Sequence, residues 1–134
     1  MYKLIAQSNY KLQRVFGSSL VNTLIKFQLE ERIENSLLSF LKDFFYSHNY
    51  RIFYFNDLVL LCEYLFAKAI KLEDGCAIYF ELLNEVVSLG LIPKTHRSID
   101  HIAMTLAEII DRENVKAQLS DKDMEHIDNL LMVI

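Results

Sequence analysis

Turn residues are scarce in this chain. In 134 residues there are three glycines, at positions 17, 75 and 90, and one proline, Pro93. An all-β sandwich needs a turn signal about every 8–12 residues, and a linker or low-complexity chain needs far more Gly and Pro. The chain must therefore be built from a few long elements with few corners. Apolar residues make up 52% of it, too many for a disordered segment. The expectation is an all-α fold, a single helical domain over residues 1–134 arranged as a bundle of five to seven helices.

Apolar spacing supplies the helices. Leu4, Ile5, Leu12, Val15 and Phe16 predict a first helix over 3–16, stopped by Gly17, with Ser18 or Ser19 capping the next. A second helix follows over 19–47. Leu20, Leu24 and Phe27 lie on one line, and Ile25, Leu29, Ile33, Leu37, Leu41 and Phe44 or Phe45 form an i, i+4 ladder. Glu30, Glu31, Arg32 and Glu34 form its solvated face. Such a helix is well beyond the mean of about 11–12 residues, so a kink is expected near 30. The third helix begins at Asn56 or Asp57 and runs to 72. The fourth covers 76–89, with Gly90 at its C-terminal stop and Leu91 as the apolar contact beyond it. Pro93 opens a fifth helix over 94–112, and residues 114–119 connect to a sixth. Ser120-Asp121-Lys122-Asp123 approximates a capping box for that last helix. The expected core includes Leu37, Leu41, Leu61, Leu65, Leu83, Leu106 and Ile109.

One segment breaks the helical pattern. Phe40, Phe44, Phe45, Tyr46, Tyr50, Phe53, Tyr54 and Phe55 place eight of the chain's sixteen aromatics in sixteen residues. Phe40 and Phe44 fit the core ladder. Residues 48–56 read as an aromatic-rich extended connector, in which Tyr50, Ile52 and Tyr54 would face one way and Arg51, Phe53 and Phe55 the other. Both faces then carry large rings, and aromatic side chains favour interface centres. Tyr50, Arg51, Phe53, Tyr54 and Phe55 are therefore the candidate partner-binding residues.

Charge and motifs narrow the function classes. The net charge of −4 disfavours nucleic acid as a partner. Residues 1–26 carry Lys3, Lys11, Arg14 and Lys26 with no acid, while residues 68–134 carry seven basic and twelve acidic residues. That acidic half fits a basic protein partner. Cys62 and Cys76 show no metal-ligand or redox spacing and read as buried free thiols, suited to the cytoplasm. The first residues lack the apolar stretch of a secretory signal. The longest apolar runs, such as Leu58–Cys62, fall far short of the ~20 residues that cross a membrane.

Glycines this sparse cannot form a phosphate-cradling loop, and no GxSxG nucleophile turn is present. His96, Asp100 and Glu108 could suggest a metal-dependent enzyme, but His96 and His101 are about 140° apart on a helix. No cofactor is expected. Residues 86–99 read helix, Gly turn, helix, which permits a degenerate helix-turn-helix and a transcriptional regulator as the alternative. Val86 and His96 stand where such motifs prefer a small and an apolar residue. The leading expectation is a non-catalytic protein–protein interaction module of the inhibitor, immunity or adaptor type. The apolar excess predicts a homodimer or a tightly held protein partner.

Overall fold

Gly17 does not end a helix. The structure, a computed structural model, describes residues 10–116 and 120–134. Its first helix, α1, runs unbroken through Gly17 from Tyr10–Lys26. The expected helical residues before Tyr10 lie outside the described residues. A Cβ on Gly17 would stand 2.2 Å from the Ile52 carbonyl oxygen. Glycine is needed there because another backbone lies against the helix.

The expected kink near 30 is a complete break. Residues 27–30 separate α1 from α2 (Glu31–Tyr46). A single 3-10 turn, Tyr50–Ile52, leads into α3 (Phe55–Ala69). Then come α4 (Ala77–Ser88), α5 (Arg97–Lys116) and α6 (Asp121–Val133). Among the described residues there are six α-helices and no strand. The fold is all-α, with its helices packed together.

Capping explains several boundaries. The Ser120 side chain accepts the Asp123 N–H at 3.1 Å and starts α6 as expected. Tyr54, not Asn56 or Asp57, precedes α3. Asp57 sits inside the first turn, buried, and accepts the Tyr54 N–H at 3.2 Å and the Ser18 hydroxyl at 2.6 Å. One carboxylate thus caps α3 and ties it to α1. Gly90 takes φ +69° after α4, and its N–H meets the Val87 carbonyl at 3.1 Å. His48 performs the same task after α2 with φ +59°. The His48 N–H bonds the Phe45 carbonyl and the Asn49 N–H bonds the Phe44 carbonyl, the two bonds of a Schellman stop. A helix stop without glycine left no glycine signal in the sequence.

Pro93 does not open α5. It begins a separate turn, with the His96 N–H on its carbonyl at 2.9 Å, and the helix starts at Arg97.

The core lies around α3, which packs against α1, α4 and α5; α4 also packs against α2 and α6. Leu41, Leu61, Leu65, Leu83, Leu106 and Ile109 are buried as expected. Leu37 is only partly buried, because Leu38 takes the inward position on α2. No helix among the described residues is long and apolar enough to cross a membrane.

Candidate functional site

The 3-10 turn decides where the aromatic connector points. A turn of three residues abolishes strand alternation. Ile52 and Phe53 are consecutive, yet both are buried, whereas Tyr50 is half-buried and Arg51 exposed. The expected alternation is thereby corrected. Phe53 stacks on Phe45 with ring centres 5.4 Å apart and belongs to the core. Tyr54 and Phe55 remain exposed. Arg14 of α1 lies over the Tyr54 ring at 4.6 Å, and Phe55 meets His96 edge-on at 5.5 Å.

A larger aromatic surface lies next to this turn, on α1 and α2. The α2 sequence carries two stripes at the same spacing. Glu34, Leu38, Leu41 and Phe45 face inward and are buried. Ile33, Leu37, Phe40 and Phe44 form the second stripe, about 100° around the helix. Phe40 (44% exposed) and Ile33 (46%) reach solvent; Leu37 and Phe44 are partly buried. The single ladder expected from the sequence mixes members of both stripes, so Phe40 fits its spacing while its ring reaches solvent.

On α1, Gly17, Val21 and Leu24 face inward. Its outer side and the following link expose Leu12, Val15, Phe16 and Phe27. The link at 27–30 joins the two helices, and Phe16 of α1 meets Phe44 of α2 with ring centres 6.3 Å apart. Phe40 meets Phe44 edge-on at 4.9 Å. Phe16, Phe40 and Phe44 therefore make a continuous aromatic surface supported from beneath by Phe53, 6.4 Å from Phe44. Aromatic pairs at these separations are each worth about 0.5–1.5 kcal/mol beyond burial, which holds the surface in shape.

Glu34 holds the underside of α2. It is buried, contrary to its expected place on the solvated face, and accepts hydrogen bonds from both the Tyr64 and Tyr79 hydroxyls. One carboxylate joins α2 to α3 and α4. Lys42 and Glu81 add an ion pair at 2.9 Å between α2 and α4. Burial pushes both tyrosine hydroxyls above their ordinary value, and the Glu34 carboxylate adds to the effect. Below the ordinary value of 10.0, folded and unfolded chains both keep these protons. Above it the unfolded chain loses them first, so stability should fall as pH rises. Urea titrations should show this alkaline loss, and a Tyr64→Phe/Tyr79→Phe variant should show a flatter profile from a lower starting stability. An unchanged slope in the variant would place the sensitivity elsewhere.

The remaining sequence candidates are dispersed. Cys62 and Cys76 are buried and free, and desolvation raises the Cys62 thiol to about 12, making it inert at neutral pH. His96 accepts the Ser98 N–H through Nδ1 at 3.1 Å. His101 instead meets Phe66, 6.0 Å away, and lines a cleft of about 530 Å³ between α3 and α5 with Glu63, Arg97 and Ser98. Asp100 and Glu108 are exposed. Among the described residues, no group of three or more His, Cys, Asp or Glu side chains could hold a metal ion. Residues 89–96 separate α4 from α5, a longer link than the roughly three- to four-residue turn of a helix-turn-helix.

No family model, curated protein or solved structure matches this chain.

Proposed function

We propose that this chain is a non-catalytic protein-binding module that meets its partner through α1, α2 and the adjoining Tyr54–Phe55 corner. The observation that carries this reading is the uneven placement of exposed apolar side chains. Among the described residues, seven of the twelve large ones lie between Leu12 and Tyr46: Leu12, Val15, Phe16, Phe27, Ile33, Phe40 and Tyr46. Scattered apolar residues are normal on a soluble domain, but a contiguous aromatic patch marks a binding surface. Of the residues expected from the sequence to contact a partner, Tyr54 and Phe55 are exposed, Tyr54 against Arg14 of α1 and Phe55 against His96. Tyr50 and Arg51 lie in the turn beside the patch, and Phe53 supports it from the core. The role fits an inhibitor, immunity or adaptor protein, whose work is done by occupying another protein's surface.

Affinity capture from the native cell tests the reading, with the wild-type chain compared against Phe16→Ser/Phe40→Ser. A protein partner should be retained by the wild type. Its recovery should drop at least about tenfold with the variant, since rings at an interface centre carry much of the binding energy, while the circular dichroism spectrum stays the same. Equal recovery by both chains, or no retained protein with either, would count against it.

A further inference from the structure

The outermost face of α2 carries a charge pattern that fits one partner in particular. Arg32, Ser36, Ser39 and Asp43 recur at i, i+4, i+7 and i+11 and are all exposed. They point almost directly away from the buried stripe of Glu34, Leu38, Leu41 and Phe45. Ile33 and Phe40 flank them on one side. With Asn35 and Phe40, the four residues line a shallow open cleft of about 540 Å³. Among the described residues, neither Arg32 nor Asp43 is in an ion pair. The two lie about 16 Å apart along the helix at 1.5 Å per residue, too far to meet each other.

We propose that this face pairs with the same face of a second copy of the chain, antiparallel about a twofold axis, with each Arg32 opposite the partner's Asp43. The inference rests on reading the α1–α2 surface as a binding surface and names its occupant. An axis passing between residues 37 and 38 sends position 32 to position 43 and position 36 to position 39. Both ends of the interface then carry an opposite-charge pair. The middle carries only short serine side chains, so the helices approach and Phe40 and Ile33 lie against the facing chain. A parallel pairing would set arginine on arginine and aspartate on aspartate, which is repulsive. The charges therefore choose orientation and register. The rings of Phe40, with Phe16 and Phe27 of the neighbouring α1 side, supply the apolar area. A pairing closed by one helix face and its apolar rim is at the small end of stable interfaces, so it should assemble at about 10–100 μM.

Sedimentation equilibrium of the full chain tests this pairing, using wild type, Arg32→Asp, Asp43→Arg and the double swap. Both substituted positions, 32 and 43, are exposed, so helicity serves as a common folding control. The wild type should show a concentration-dependent dimer. Each single reversal replaces two attractive pairs with two repulsive ones and should raise the dissociation constant about tenfold or more. The double swap should restore it, and added salt should shrink the differences. A wild type that stays monomeric throughout, single reversals without effect, or a double swap that fails to recover would overturn the pairing. A monomeric chain that still retains another protein in a Phe40-dependent manner would sink self-pairing and leave the protein-binding reading intact. Loss of both would remove both.

Discussion

Gly17→Ala should lower the stability of this protein by about 2–3 kcal/mol. Helix propensity alone predicts the opposite sign, because removing a glycine from a helix interior ordinarily gains about 1 kcal/mol. The two arguments separate cleanly at this position. Gly17 has ordinary helical backbone geometry, so the new residue meets no conformational strain. What it meets is the 3-10 turn: the Ile52 carbonyl oxygen at 2.2 Å and carbon at 2.8 Å, with the Phe53 ring at 3.2 Å. Two of those atoms are backbone and cannot rotate aside. To admit one methyl group, α1 must lift from the turn, loosening the Ser18–Asp57 bond and the support beneath Phe44. Urea or guanidinium titration reads the effect directly. A variant as stable as wild type, or more so, would show that α1 does not lie against the turn.

Leu65→Ala should cost about 2–5 kcal/mol, the range for deleting a buried leucine side chain and leaving a cavity. Leu65 is fully buried on α3, the helix that packs against α1, α4 and α5. Three neighbouring helices would have to move together to fill the hole. Collapse is therefore expected to be poor and the loss to fall in the upper part of that range. A loss below about 0.5 kcal/mol would mean that α3 is not the centre of the bundle.

Much of this architecture was legible in the letters, and the failures share a cause. Helices α3, α4 and α6, the stop at Gly90 and the start at Ser120 follow from apolar spacing and local capping chemistry, which act over a few residues. Gly17 was misread because its reason lies 35 positions away, at Ile52. Glu34 looks solvated among Glu30, Glu31 and Arg32, and only the arrival of Tyr64 and Tyr79 makes its burial tolerable. Two apolar stripes on α2 share one period, so spacing alone cannot tell the packed one from the open one. The aromatic wealth of residues 40–55 did mark the neighbourhood of the exposed aromatic surface. It could not say that Phe53 turns inward while Phe40 and Phe16, from two other elements, stay outside.

The central claim is that the α1–α2 face is covered by another protein chain when the molecule works. Hydroxyl-radical footprinting with mass spectrometry tests it most directly, comparing the dilute isolated protein with the same protein held in extract from its native cell. Phe16, Phe27 and Phe40 should label readily in the dilute protein and be protected in the extract, while Met104 and Met132, exposed on α5 and α6, label alike in both. Equal labelling of Phe16, Phe27 and Phe40 under the two conditions would contradict the claim.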